Sequence, residues 1–231
     1  MDQATFDQNF QILAEQHRQS PRFSQEQWNL HPIMDEDTPG ASFDSHYVYH
    51  TAWAVRKVAQ LAPSLHVDFS SSLYFVALAS ATTPIRFYDY RPPALALPNL
   101  DVRHGDLTAL DVESASLSSV SCMHVVEHIG LGRYGDAPDY NGDLKAMQEL
   151  MRVVAPKGSL LFVVPIGSPR LVYNAHRIYS FQQIMDVFSA RFDLAEFSLI
   201  PDAGGLVQNA PKELADAQVY GCGCFHFVAR S

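Results

Sequence analysis

From about residue 63 onward, short apolar runs alternate with helical patterns, and before that point the chain reads differently. In the first stretch, Phe6, Phe10 and Leu13 recur at helical spacing. An acidic turn, Asp35-Glu36-Asp37-Thr38-Pro39-Gly40, follows. Val48, Trp53, Val55, Val58 and Leu61 then supply the apolar positions of a second helix, which Pro63 ends. Residues 1–62 are therefore expected to form a helical N-terminal extension packed on the core, and residues 63–231 an α/β domain.

Within that domain the pattern predicts strands at Leu65–Phe69, Ile85–Asp89, Asp101–His104, Val120–Met123, Ser159–Val164, Leu194–Ile200 and Cys224–Ala229. Ser72–Ala81 is almost wholly apolar, as a helix buried against a sheet would be. Asp143–Val154 places Leu144, Met147, Leu150, Met151 and Val154 on one face and Lys145, Gln148, Glu149 and Arg152 on the other. Pro156 and Gly158 stop it. Ser180 and Gln183 form a capping-box pattern for a helix running to Phe188. Between the second and third strands, Pro92, Pro93 and Pro98 leave little room for a crossover helix. Strands alternating with helices predict a largely parallel sheet. No helical pattern separates the last two strands, so these are expected to form an antiparallel hairpin.

Composition narrows the function classes. Of 231 residues, 47% are apolar, which supports a sizeable core. Lys and Arg number 16 against 25 Asp and Glu, a net charge of −9 that argues against a phosphate-tracking nucleic-acid binder. The first twenty residues lack the basic start and apolar run of a signal peptide, and no stretch reaches the length of a membrane span. Three cysteines imply no disulfide framework, and the expectation is a cytoplasmic protein with buried thiols. Cys222 and Cys224 point to one face of a strand, with no further pair of ligands at metal-site spacing.

Candidate chemistry lies at the strand ends. In an open parallel sheet, ligands bind beyond the carboxyl ends of the strands, near the switch in strand order. Asp68, Asp89 and Asp106 stand at or just after the first three strands. Asp89 follows Asp68 by 21 positions, close to the spacing that places an acid on ribose hydroxyls. Asp106 is placed to accept from an adenine amino group. The loop after the first strand, Asp68-Phe69-Ser70-Ser71-Ser72, has no glycine where close approach to a ligand normally requires one. Physics leaves an altered cofactor loop and a degenerate one both open. The segment His124-Val125-Val126-Glu127-His128 matches a zinc-protease pattern literally, but a strand directly precedes it and Gly130 interrupts any helix soon after. The expectation is no metal there, with Glu127 and His128 instead lining the mouth of the sheet under a loop running from Gly130 to Asp136.

These residues resemble a family. Val67-Asp68, Asp89, Gly105-Asp106, the segment from Met123 to Ile129 and the run from Glu149 to Gly158 resemble the class I S-adenosylmethionine-dependent methyltransferase fold. More narrowly, the chain resembles the domain-of-unknown-function 268 family, a distant branch of that fold. The pieces are His46-Tyr47 with Trp53, Asp89-Tyr90-Arg91-Pro92, Glu127 through Asp136, Pro165-Ile166-Gly167 and Asn174-Ala175-His176-Arg177. The resemblance implies a three-layer Rossmann-like fold and a methyltransferase acting on a sugar or small polar metabolite, in the cytoplasm and in surface-polysaccharide synthesis. The alternative is a catalytically degenerate binding or scaffold protein of the same fold. S-adenosylmethionine is the implied cofactor, on Asp68, Ser70, Ser72, Asp89, Asp106 and Leu107. For a hydroxyl acceptor, His128 is expected to take the proton with Glu127 orienting it. Tyr134, His176 and Arg177 are the candidates for holding the substrate.

Overall fold

The computed structural model describes residues 1–22 and 28–231, in two compact units, Met1–Phe43 and Asp44–Ser231. The smaller unit carries helix α1 (Gln3–Gln19), whose first turn is capped where Asp2 Oδ1 accepts from the Thr5 N–H at 2.8 Å. Trp28 packs edge-on against Phe10 and His17.

The larger unit begins one residue before helix α2 (Ser45–Leu61), so this helix, grouped with the N-terminal extension on sequence grounds, lies within the α/β unit. The Asp44 carboxylate caps it by accepting from Tyr47 N. Ala62 closes it in the left-handed conformation, just ahead of Pro63.

The remaining elements are β1 (His66–Phe69), α3 (Leu73–Ala79), β2 (Ile85–Asp89), β3 (Leu100–His104), β4 (Leu117–Met123), α4 (Gly142–Val153) and β5 (Val154–Ile166). A two-stranded ribbon, β6 (Arg170–Val172) and β7 (His176–Ile178), precedes α5 (Phe181–Phe188), β8 (Phe192–Ile200), α6 (Lys212–Asp216) and β9 (Gly221–Ala229). The main sheet has the order β3-β2-β1-β4-β5-β9-β8. Strands β1 to β5 run parallel, and β9 lies antiparallel between β5 and β8. The expected antiparallel pairing of the last two strands is present, and β9 also joins their ribbon to the rest of the sheet.

Period-2 alternation divides the core into two layers. Leu160, Phe162, Val164, Phe225 and Phe227 face a cluster with Met147 and Leu150 of α4 and Phe188 of α5. Leu161, Val163, Ile85, Phe87, Cys222 and Cys224 face the opposite way, onto Trp53 and Val58 of α2 and Phe75 and Val76 of α3. Helices on both faces of a mostly parallel sheet make the expected three layers. Trp53 also donates its indole N–H to Glu196 Oε1 at 2.9 Å, and Lys57 pairs with the same carboxylate. Among the described residues, no helix is long and apolar enough to cross a membrane.

Candidate functional site

The strand order reverses between β1 and β4, which opens a crevice beyond their carboxyl ends. Ser70, directly after β1, takes φ 56°, the left-handed conformation that a glycine would adopt freely. Its N–H and hydroxyl both donate to Tyr88 O, at 2.8 and 3.2 Å, and this holds the turn open against the end of β2. The serine thus fills the glycine's conformational role.

Asp68 does not reach the crevice. Its side chain is fully buried, accepting from Ser71 N at 3.0 Å and from the Ser121 hydroxyl. Burial raises its carboxyl to about 7, against the opposing pull of these hydrogen bonds. Ser71 Oγ in turn accepts from Met123 N at 3.0 Å, so the β1 loop is stitched to the end of β4. Asp68 therefore shapes the loop after β1 from behind. Ser72 stands at the N-terminus of α3 and makes no side-chain cap bond.

The crevice on the β2–β3 side is a cavity of about 470 Å³, within the ordinary range for a small-molecule site. Ser70, Asp89, Asp106, Leu107, Val125 and Ile129 are among its walls. Asp89 uses Oδ1 to accept from Arg91 N at 2.7 Å, and Asp106 uses Oδ1 to accept from Thr108 N and Oγ1 at 2.8 and 2.7 Å. In each case one oxygen fixes the side chain and the second remains for a ligand. Two anchored carboxylates beside apolar walls fit an adenosyl group: one acid for ribose hydroxyls, one for the adenine amine.

A second cavity of about 460 Å³ opens on the α2 side, among Tyr47, His46, Glu127, His176 and Tyr220. His124, Tyr134 and His128 line both cavities. His124 follows β4 at φ 56°, with its N–H bonded to Val163 O at 2.8 Å. Its ring stacks with those of His46 and Tyr47, with centroids 5.6 and 5.5 Å away, and meets His50 edge-on at 5.0 Å. The Nδ1 edge meets Glu127 Oε1 at 2.9 Å, and the Nε2 edge meets Cys222 Sγ at 3.3 Å.

Glu127 sits on a 3₁₀ turn, Val126–His128, and is fully buried. Its Oε1 also lies 3.7 Å from His128 Nε2. Glu127 therefore bonds first to His124, not to His128 as expected from sequence. His128 is instead fixed by its Nδ1–H, which donates to Ala175 O at 2.6 Å. Burial holds the Glu127 carboxyl up near 7 and the His124 imidazole down near 4, and it lowers His46, His128 and His176 as well. Burial thus favours the neutral imidazole across the cluster.

The loop from Gly130 to Asp136 is folded around one carboxylate. Asp136 Oδ2 accepts from Gly130 N at 2.7 Å and Gly132 N at 3.3 Å, while Oδ1 accepts from Tyr134 N at 3.1 Å. Gly130 has φ 77°, and a Cβ there would stand 2.0 Å from Asp139 O, so no other residue fits. Two guanidinium groups lie over the Tyr134 ring, Arg91 at 4.7 Å and Arg133 at 5.2 Å from its centroid.

Arg177, expected to hold substrate, is engaged by backbone carbonyls of the protein. It is buried and lines neither cavity. Its Nη1 donates to Ile129 O at 2.7 Å, its Nη2 to Tyr140 O at 3.0 Å, and its Nε faces Asp143 Oδ2 at 3.5 Å. The fork clamps the loop: Nη1 also reaches Glu127 O and Nη2 reaches Asp139 O, each at 3.5 Å, so its N–H groups face protein acceptors, and Arg177 lines a separate cavity beside Tyr140 and Asp143. Of the other expected substrate residues, Tyr134 and His176 line the α2-side cavity. Sequence reasoning missed His46, Tyr47, Tyr220 and Cys222 as site residues. They come from α2, from Tyr220 just before β9 and from β9 itself, and only the fold brings them to His124.

Residues 110–202 match the family described as "Caenorhabditis protein of unknown function, DUF268". No curated protein matches the sequence. Among solved structures, the N-methyltransferase NodS from Bradyrhizobium japonicum WM9, in complex with S-adenosyl-L-homocysteine, aligns with TM-score 0.57 and 12% identity over 85% of this chain and 90% of its own. A 1,6-didemethyltoxoflavin-N1-methyltransferase from Burkholderia thailandensis aligns with TM-score 0.56 and 13% identity, covering 81% and 84%. YcgJ from Bacillus subtilis gives 0.55 and 14%, covering 80% and 99%. The fold is the Rossmann-like class I methyltransferase fold, and the DUF268 match lies within it at residues 110–202.

Proposed function

We propose that this chain is an S-adenosylmethionine-dependent methyltransferase acting on a hydroxyl of a sugar or similar small polar metabolite. One observation carries the reading: the carboxylate-walled cavity and the histidine-rich cavity meet at three shared residues, His124, His128 and Tyr134. Methyl transfer is a direct displacement, so donor and acceptor must be held in line across such a junction with water kept out. S-adenosylmethionine supplies the electrophilic methyl group. Asp89 and Asp106 hold its ribose and adenine, and Ser70 lies along its floor.

On the acceptor side, His176, Tyr47 and Tyr220 offer polar edges and aromatic faces suited to a sugar ring. His128 donates through Nδ1 to Ala175 O, so its Nε2 carries the free lone pair. The acceptor's hydroxyl proton passes to that nitrogen, and the Glu127 carboxylate, 3.7 Å away, stabilises the imidazolium. The proposal extends to a cytoplasmic reaction on a precursor of surface polysaccharide, as the family resemblance implies.

Calorimetry with S-adenosylhomocysteine tests the donor half. Binding is expected in the wild type, weakened about tenfold to a hundredfold by Asp89→Ala, the loss of one charged hydrogen-bond partner worth roughly 1.5–3 kcal/mol. Absence of heat at millimolar ligand replaces this reading with that of a non-catalytic binding protein. Transfer of labelled methyl from S-adenosylmethionine to a panel of sugars and nucleotide sugars tests the acceptor half.

A further inference from the structure

The His46–His124–Cys222 cluster has the donor set and spacing of a transition-metal site. One ligand atom from each of the three residues lies within 4.8 Å of the others, and His124 Nε2 stands 3.3 Å from Cys222 Sγ. Tetrahedral zinc, with bonds of about 2.0–2.1 Å to nitrogen and about 2.3 Å to sulfur, sets its ligand atoms roughly 3.3–3.6 Å apart. The His124–Cys222 pair already meets that separation. His46, the partly exposed member at the start of α2, closes the remainder by turning its ring.

We propose that His46, His124 and Cys222 bind a zinc-class divalent ion whose fourth position opens into the histidine-rich cavity. Thiolate and imidazole donors select zinc over magnesium or calcium, which require oxygen. The surroundings supply what a metal-bound histidine needs. His124 turns its Nδ1 to the buried Glu127 carboxylate at 2.9 Å, which fixes the tautomer so that the Nε2 lone pair points at the cysteine.

A second observation points to a ligand at this place. Among the described residues, three buried side-chain polar atoms lack a hydrogen-bond partner: Ser45 Oγ, His50 Nε2 and Glu127 Oε2. All three belong to residues that touch or adjoin the cluster. His50 packs on the His124 ring, Glu127 bonds to His124, and Ser45 precedes His46. Buried polar groups are rarely left unpaired, and three on residues that contact or adjoin one His/Cys cluster point to a ligand there. The pattern differs from the His-x-x-Glu-His zinc arrangement: His128 is not a ligand, and Cys222 arrives from β9.

The test is metal content of the untagged full-length chain, loaded with zinc, desalted and analysed by mass spectrometry. About one zinc per chain is expected, falling at least tenfold in His46→Asn and in Cys222→Ser, with circular dichroism showing that both variants remain folded. Because Cys222 is buried, cobalt substitution of the wild type gives a second measurement that requires no variant. A sulfur-to-cobalt charge-transfer band is expected. Substoichiometric zinc after loading overturns the proposal, as does full zinc without that band or full zinc retained in His46→Asn. None of these readouts involves S-adenosylhomocysteine. A zinc-loaded protein that fails to bind it defeats the methyltransferase reading alone, and a protein that binds it without zinc defeats the metal site alone.

Discussion

Ser70 and His124 share one backbone conformation, φ 56°, each immediately beyond a strand on either side of the point where the sheet reverses its order. The left-handed conformation costs an L-residue roughly 1–2 kcal/mol, so two such residues mark where the chain is bent to make a site. Ser70→Gly removes that cost at one of them and loses only the hydroxyl's 3.2 Å bond to Tyr88 O. A gain of roughly 0.5–1 kcal/mol is expected, a rise of about 1–4 °C in melting temperature at this length. A lower melting temperature means that the hydroxyl contact outweighs the backbone strain.

Asp68 makes stability depend on pH. Its carboxyl titrates near 7 in the fold, above its ordinary value of 3.8, because burial disfavours the charged form. The folded state therefore binds this proton more tightly than the unfolded chain. The associated stability is complete below about 4 and is lost as pH rises through 7. Asp68→Asn removes that slope while keeping an acceptor for Ser71 N. Denaturation at pH 5 and pH 8 is expected to show the variant gaining on the wild type by an amount on the order of a few kcal/mol. Equal differences at both pH values assign the slope to another group.

The fold was more legible than the site. Ile85–Asp89 was read to the residue, because alternating Ile85 and Phe87 against Arg86 needs only a period of two. The helix from Phe181 followed from the Ser180–Gln183 capping box, which forms in full. The β6–β7 ribbon escaped because Arg170–Val172 is three exposed residues with no buried face to pattern. The β5 strand starts at Val154, not Ser159, because Lys157 at φ 62° lets the chain bulge through the Pro156–Gly158 stop signal. Asp89 and Asp106 were findable because the βαβ unit fixes their spacing. No spacing relates His46, His124 and Cys222, which meet only after the sheet is assembled.

Arg177 is expected to act on stability more than on substrate affinity. Removing it as Arg177→Met leaves the Asp143 carboxylate buried with only the Tyr179 hydroxyl, which donates at 2.9 Å, and frees the carbonyls of Ile129 and Tyr140. Breaking a buried pair in this way costs about 3–5 kcal/mol, enough to lower the melting temperature by at least about 6 °C. Limited proteolysis is expected to cut first between residues 130 and 141. An unchanged melting temperature shows that the clamp is dispensable.

His128→Asn separates chemistry from cofactor binding. With an accepted sugar, kcat is expected to fall by about 10²–10⁴, the usual contribution of a positioned base. S-adenosylhomocysteine affinity should change by less than about threefold, below 1 kcal/mol. Equal losses in both quantities indicate that His128 shapes the cavity and does not take the proton.

The place of β9 also bears on how the molecule is made. β8 touches the main sheet through β9 alone, so a chain synthesised only as far as β8 presents the bare edge of β5. Closure waits for the stretch from Gly221 onward to thread between two strands already present, a long-range pairing of the slow kind. Tyr220 and Cys222 travel with that stretch. The histidine-rich cavity is thus completed last during biosynthesis, and the carboxylate-walled cavity, whose walls run from Ser70 to Gly142, can form before it.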